Sequence, residues 1–348
     1  MTASTEAESQ SHAGSGTPSL LRFGILGTAR IADKLAAAIH AADGASLDVI
    51  GSRDATRAAE WAESHHVPRS AGDYRRVIDD PEIDAVYIPL PNAMHHEWTI
   101  AAAEAGKHVL CEKPLGLDAG QAREMAAACR EHSVQLMDGV MWVHHPRTDD
   151  MHARLQEGAI GEIRRITSAF TFHFDEIPGY DIRLDPKMGG GSLGDLGWYC
   201  CRATLWAFGD LPRRVFAAAR MFRDVDMNLS GLMWYDHDRM ASFDCGFDVE
   251  LRKWFEVAGT GGSLVCDDFL RPWNADRPRF WIHNRNGLVG EFVSKAPIQE
   301  VAMVEHFAHA AASGDLRDDW VDDAVATQVL CDALAASARN EQVVELDV

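Results

Sequence analysis

The sequence predicts an α/β protein in two units. A doubly wound parallel sheet comes first, followed by an α/β unit with a large, mostly antiparallel open sheet. Three observations lead there. The length of 348 residues suggests about two domains at ~150 residues each. From Arg22 to Met137, short apolar runs alternate strictly with amphipathic stretches, as parallel βαβ winding requires. After Pro146 the runs alternate polar and apolar residues, which suits an antiparallel sheet with one wet face.

The elements follow in order. Arg22–Leu26 is a strand entering Gly27-Thr28-Ala29, and a helical pattern runs from Ile31 to His40. Leu47–Gly51 is the next strand and Ala55–Ser64 the next helix. Ala85–Ile88 is a strand that ends at Pro89-Leu90-Pro91-Asn92. His95–Ala105 reads as a helix stopped by Gly106. Lys107–Cys111 is a strand, Asp118–Glu131 a helix with Asp118 as its N-cap, and Val134–Met137 a strand. Beyond Pro146 come a helix at Thr148–Glu157 and strands at Ile163–Phe174, Val215–Met221, Leu229–Tyr235, Arg239–Cys245 and Lys253–Gly259. Helices at Ser192–Phe208, Ile298–Ser313 and Asp322–Arg339 complete the chain. Residues 1–20, rich in Ser, Thr, Ala, Gly and Glu, lack the basic start and apolar core of a secretory signal and read as a disordered tail. The division expected is a tail over 1–20, a dinucleotide-binding unit over 21–145, and a substrate-binding and oligomerisation unit over 146–348.

Charge narrows the function. Lys plus Arg number 33 against 53 Asp plus Glu, a net charge of −20. Such a surface repels phosphate backbones and anionic lipid, so no nucleic-acid or membrane partner is expected. No apolar run approaches the ~20 residues of a membrane span. Seven cysteines without regular spacing fit a reducing cytoplasm rather than a disulfide scaffold.

Gly27-Thr28-Ala29-Arg30-Ile31-Ala32 fits the G-x-G-x-x-G/A turn with alanine in place of the second glycine. In that turn the first glycine bends the chain, and backbone N–H groups meet a pyrophosphate at the helix N-terminus. Alone the match is weak. The strand before it and the helix after it lift it above an ordinary turn. The second strand ends in Gly51-Ser52-Arg53-Asp54, with Arg57 one turn on. A hydroxyl and two cations stand where NAD enzymes carry an acid for the ribose 2′-hydroxyl, which points to a 2′-phosphate and NADP. The bland reading makes both arginines solvated surface charges and Asp54 an ordinary cap.

Cys111-Glu112-Lys113-Pro114 closes a parallel strand at the ligand-binding edge of the sheet, and proline fixes how Lys113 leaves it. As an isolated tripeptide it would be a surface Glu–Lys pair. In Met188–Tyr199, Gly189 to Gly191 read as a turn and Ser192 with Asp195 as a capping box. Asp195, Tyr199 and Arg202 then share one helical face; such a face is usually just solvated. Sixteen histidines include His95-His96 and His144-His145, but no H-E-x-x-H or paired C-x-x-C accompanies them, so no metal is expected.

Together these segments resemble the glucose-fructose oxidoreductase / inositol dehydrogenase / rhizopine-catabolism (Gfo/Idh/MocA) family of NAD(P)-dependent enzymes. The resemblance rests on Gly24–Ala32, Pro91-Asn92-x-x-His95, Glu112-Lys113-Pro114, Met141-Trp142 with His145-Pro146, and Gly189–Tyr199, in that order along the chain. Tyr199 stands where the branch of glucose-fructose oxidoreductase, dimeric dihydrodiol dehydrogenase and xylose dehydrogenase carries tyrosine. The resemblance implies a Rossmann unit followed by an α/β unit whose open sheet forms a homodimer interface. It implies that Lys113 and Tyr199 meet at the nicotinamide, with Asp195 beside the substrate hydroxyls. Gly27, Thr28, Ala29, Arg30, Ile31, Ser52, Arg53, Arg57, Leu90, Asn92, His95, Glu112 and Lys113 become the expected cofactor residues. Val143 and His144 occupy a segment where relatives usually carry arginine, so no substrate contact is borrowed from it.

The reaction expected is NADP-dependent hydride transfer between nicotinamide C4 and a carbinol carbon of a sugar, polyol or cyclic diol. Tyr199 would be the acid/base, and the Lys113 ammonium at ~4 Å would draw its pKa down from ~10, with desolvation of the phenolate offsetting part of that. Three other readings compete: an NAD-dependent glycosidase working by transient oxidation, a non-enzymatic NADP-binding regulator, and a structural protein whose motifs are relics of the fold.

Overall fold

The computed structural model describes residues 20–294 and 298–347. The tail expected over 1–20 lies outside them but for Leu20. In the first unit, β1 (Leu21–Leu26), α1 (Arg30–Ala41), β2 (Ala45–Gly51), α2 (Ala55–Ser64), β3 (Arg69–Ala71), α3 (Tyr74–Ile78), β4 (Ala85–Ile88), α4 (His95–Glu104), β5 (His108–Cys111), α5 (Ala119–Glu131) and β6 (Leu136–Asp138) follow in turn. Their strands form one parallel sheet in the order β3-β2-β1-β4-β5-β6. The order reverses between β1 and β4, so a crevice opens there at the C-terminal strand ends. Continuous apolar runs make this sheet: Ala85, Val86, Tyr87 and Ile88 are all fully buried, as strands covered on both faces must be. The short β3 and α3 escape sequence reading because three residues and a single turn show no period.

The second unit holds α6 (Pro146–Gln156), β7 (Ile163–His173), α7 (Trp198–Phe208), β8 (Arg214–Phe222), β9 (Val225–Trp234), β10 (Met240–Gly246), β11 (Asp248–Gly259), β12 (Ser263–Cys266), β13 (Arg279–Asn284) and β14 (Gly287–Val293). Helices α8 (Gln299–Ser313) and α9 (Asp318–Asn340) and the short β15 (Val344–Glu345) end it. Nine strands form a mixed, mostly antiparallel sheet, β14-β13-β12-β11-β7-β10-β9-β8-β15, in which β7 and β10 run parallel. Alternation sets its two faces: along β9, Val225, Met227, Leu229 and Met233 are buried while Ser230 and Leu232 are exposed.

The closing helices do not stay with the second sheet. Val304, Phe307, Ala308 and Ala311 of α8 pack with Phe23, Leu35, Ile39 and Leu47 of the first unit, and the Phe23 and Phe307 rings lie 5.7 Å apart. Helix α9 lies between the units, touching α5 and β6 on one side and α7 and β8 on the other. Residues 299–313, expected with the second unit, thus complete the core of the first. None of the helices among the described residues is long and apolar enough to cross a membrane.

Candidate active site

The turn after β1 is the first component. Gly27 has φ of +106°, and a Cβ there would stand 3.0 Å from Leu90 Cδ2. Only glycine suits that backbone. Ala29 has φ −70° and ψ 151°, an extended conformation open to any residue, so alanine replaces the second glycine without strain. Ala29 gives α1 no side-chain cap, whereas Asp54, Asp73 and Asp118 cap α2, α3 and α5. The first turn of α1 is therefore left to backbone donors, with Thr28, Arg30 and Ile31 around it. These features fit a dinucleotide pyrophosphate.

At the end of β2, Ser52 is buried and its Oγ accepts the Asp54 N–H at 3.2 Å. Asp54 Oδ1 accepts the N–H groups of Thr56 and Arg57 at 2.9 and 3.2 Å. Arg53 and Arg57 are exposed. Three of the expected cofactor residues hold the protein together. His95, fully buried, has one ring nitrogen 2.8 Å from the Pro114 carbonyl and the other 2.8 Å from that of Leu90. Asn92 Nδ2 donates to the Gly189 carbonyl at 2.8 Å, joining the end of β4 to the glycine run. Glu112 is buried and accepts the Tyr87 hydroxyl at 2.7 Å, with burial pushing its own carboxyl up. The surface Glu–Lys pair is thereby ruled out.

Lys113 leaves β5 beside Pro114 and its side chain is 12% exposed. Its ammonium donates to Asp195 Oδ1 at 2.7 Å and to the Asp195 carbonyl at 2.9 Å. The Tyr199 ring centroid lies 5.2 Å from the same nitrogen. The three residues proposed for the chemistry therefore meet, although 82 residues separate Lys113 from Asp195. Arg183 completes the group: its Nε donates to Asp195 Oδ2 at 2.8 Å. Burial works against the Asp195 charge, but Lys113 and Arg183 hold its carboxyl below the usual range. Nothing in the sequence marks Arg183, because only the fold brings its loop against Asp195.

Three expectations change at this point. Ser192 makes no capping box: its Oγ donates to Asp226 Oδ2 at 2.7 Å, and the Leu193 N–H donates to the same oxygen at 2.7 Å. Gly191, with φ of +121°, admits this contact, because a Cβ would stand 2.2 Å from Asp226 Oδ1. Leu193–Gly197 form a π turn before α7, which breaks the 3.6-residue register that would align Asp195 with Arg202. Arg202 instead points into the protein, donating to Asp138 Oδ2 at 2.8 Å and Thr327 Oγ1 at 2.7 Å, and Trp198 Nε1 donates to the same aspartate at 3.1 Å. Finally, Lys113 does not draw down the Tyr199 pKa. Burial, then Glu112, Asp195 and Asp138, push that phenol well above its ordinary value.

Residues 21–140 match the GFO/IDH/MocA oxidoreductase family with its NAD-binding Rossmann fold, and residues 148–265 match the GFO/IDH/MocA C-terminal domain. The NADP(+)-dependent D-xylose 1-dehydrogenase 2 of Haloferax volcanii is 34% identical, over 94% of this chain and 100% of that one. Human trans-1,2-dihydrobenzene-1,2-diol dehydrogenase is 30% identical, over 70% of this chain and 73% of its own. Among solved structures, a 3-ketoreductase from Actinomadura kijaniata in complex with NADP and TDP-benzene superposes with a TM-score of 0.85 at 32% identity, covering 91% of this chain and 98% of that one. The chain belongs to the GFO/IDH/MocA family and is an NAD(P)-dependent oxidoreductase acting on CH–OH groups.

Proposed function

We propose that the chain moves a hydride between C4 of NADP and a carbinol carbon of a sugar, polyol or cyclic diol. The meeting of Lys113, Asp195 and Tyr199 at the C-terminal end of β5 carries this reading, since ligands of doubly wound sheets lie at that edge. The nicotinamide supplies or accepts the hydride when bound. The chain's own side chains handle the proton. Tyr199 keeps its phenolic proton at neutral pH and donates it to the oxygen that gains charge as a carbonyl is reduced. In the opposite direction it accepts the hydroxyl proton as phenolate, so alcohol oxidation accelerates toward alkaline pH. Asp195, held between Lys113 and Arg183, orients a substrate hydroxyl. An Asp195 turned to substrate frees the Lys113 ammonium to face the reacting oxygen.

NADP rather than NAD is favoured by Ser52, Arg53 and Arg57. Asp54, the acid of that segment, is engaged in capping, which leaves two exposed guanidinium groups for a 2′-phosphate. NADP also stands in the names of the xylose dehydrogenase and of the ketoreductase complex. Those names, with the diol dehydrogenase, favour a sugar or cyclic diol. The open face of the second sheet shows Leu232, Trp234 and Trp254 around an Asp244–Arg252 ion pair at 2.6 Å; a second copy covering it would give a homodimer. All seven cysteines are free, in keeping with a cytoplasmic site.

Purified protein supplied with NADP⁺ or NAD⁺ and a panel of sugars, polyols and cyclic diols, read by absorbance of the reduced cofactor, tests this. NADP should bind roughly a hundredfold tighter than NAD by calorimetry, from two charge-assisted contacts, and Arg53→Ala or Arg57→Ala should erode the difference. Equal dissociation constants would remove the NADP assignment. Glycoside hydrolysis without net reduced cofactor would favour the glycosidase reading instead.

A further inference from the structure

A buried tyrosine hydroxyl is normally hydrogen-bonded within the protein, and an exception calls for a partner from elsewhere. The chain has five tyrosines. Tyr87 donates to Glu112 at 2.7 Å and Tyr235 to Thr204 Oγ1 at 3.1 Å, while Tyr180 is exposed. The other two, Tyr199 and Tyr74, carry hydroxyls with no hydrogen bond among the described residues. Tyr199 stands beside Lys113, where the proton is handled. Tyr74 is only 6% exposed, and its hydroxyl meets no polar group of the protein.

The fold holds Tyr74 on the β1–β2 side of the crevice. It is the first residue of α3, which Asp73 caps by accepting the Arg75 N–H at 2.9 Å. Strand glycines seat that helix on the sheet, since a Cβ at Gly24 or Gly51 would run into the methyl groups of Val77. The Tyr74 ring then lies across the ends of β1 and β2. Its Cδ1 is 3.5 Å from the Cβ position of Gly51, and its hydroxyl is 3.7 Å from that of Gly27. From α4, the Trp98 ring meets it edge-on, with centroids 5.1 Å apart at 85°. The ring is thereby fixed, with its oxygen at the turn after β1. An unmet hydroxyl in such surroundings is costly unless a ligand bonds it.

We infer that Tyr74 is a cofactor-binding residue whose hydroxyl hydrogen-bonds the adenosine half of the dinucleotide. Gly51 leads into Ser52 and Arg53, the segment where the adenosine ribose of a Rossmann cofactor lies. Tyr74 reaches from there to Gly27. The inference rests on the dinucleotide reading above and adds to it a side-chain contact from α3. That contact is common to NADP and NAD, unlike those of Arg53 and Arg57, which tell the two apart.

Tyr74→Phe removes the oxygen and keeps the ring, and calorimetry reads the result without reference to turnover. NADP⁺, NAD⁺ and ADP-ribose should each bind about three- to tenfold more weakly and by similar factors, as for one lost hydrogen bond. Because the hydroxyl is unpaired in the empty protein, the urea midpoint without ligand should stay at the parent value. Tyr235→Phe should give the reverse pattern, a lowered midpoint with normal affinities, since its hydroxyl is already bonded. Unchanged affinities in Tyr74→Phe, with or without a lowered midpoint, would overturn the inference and leave the dinucleotide reading standing. Weaker NADP⁺ and NAD⁺ with ADP-ribose spared would overturn it by moving the contact to the nicotinamide half. A parent protein that binds none of the three would remove the dinucleotide reading itself, and this inference with it.

Discussion

The turn after β1 and the seam between the two sheets build the site by different means. The turn is contiguous: Gly27, Ala29 and Arg30 act through backbone conformation, and neighbours in sequence are neighbours in space. The seam is assembled from distant residues, with Lys113 on Asp195, Asp138 on Arg202 and His144 on His306, 162 residues apart. Backbone shape tolerates exchange wherever the dihedral angles are ordinary, as at Ala29. A buried charged contact does not, because removing one partner leaves the other desolvated. The seam should therefore be the more sensitive region in both activity and stability.

The largest effect is expected at Tyr199. Tyr199→Phe should lower turnover by about 10²–10⁴-fold, the usual contribution of a positioned acid/base, with the NADP dissociation constant nearly unchanged. Lys113→Met should fall in the same range, and the double variant should be little worse than either single one, since groups acting as a unit are not additive. Near-normal turnover of Tyr199→Phe across pH would make that ring a packing residue.

Beneath the site, Asp138 and Arg202 are each 3% exposed. Asp138→Ala should cost about 3–5 kcal/mol of stability by stranding the guanidinium, read as a lowered urea midpoint. A loss under 1 kcal/mol would show that solvent reaches Arg202.

His144 carries the pH dependence of the seam. Burial first, then His306, Arg202 and Arg317, lower its pKa to about 3. The unfolded state takes up this proton near the ordinary value of ~6.5 while the folded state refuses it. Stability from His144 is thus complete above ~6.5 and declines as pH falls toward 3. Between pH 7 and 5 the loss should be about 2 kcal/mol, and His144→Gln should flatten that slope. An unchanged slope would mean that His144 protonates in the folded protein.

The smallest effects belong to the turn. Gly27→Ala should cost about 1–3 kcal/mol through its positive φ and should weaken both cofactors. Ala29→Gly should change stability by under about 1 kcal/mol, the ordinary glycine entropy term. Equal losses at the two positions would erase the distinction between a required and a permitted residue.

Much of this is legible in the sequence. Strict alternation from Arg22 to Met137 defines the parallel sheet, and Asp54, Asp118 and Gly106 mark helix ends by local chemistry alone. Gly27 announces its turn because a positive φ selects glycine. Lys113 and Tyr199 stand out through their motifs. The β12–β14 strands do not: β12 and β13 alternate over only four and six residues, too short for a clear period, and exposed Leu288 and Val289 interrupt the alternation of β14. Nor does the π turn at Leu193–Gly197, which no side-chain period encodes.

The sequence by itself determined the class of fold, the order of most of its elements and the residue types proposed to meet the cofactor and the substrate. These depend on backbone propensity and apolar period, which operate over a few residues. The tertiary structure decided which charges pair. It turned Arg202 inward to Asp138, drew Arg183 and Lys113 onto Asp195, raised the Tyr199 phenol instead of lowering it, and returned α8 to the first sheet. Electrostatic and packing energies depend on distances through space, and those exist only once residues far apart in the chain are folded together.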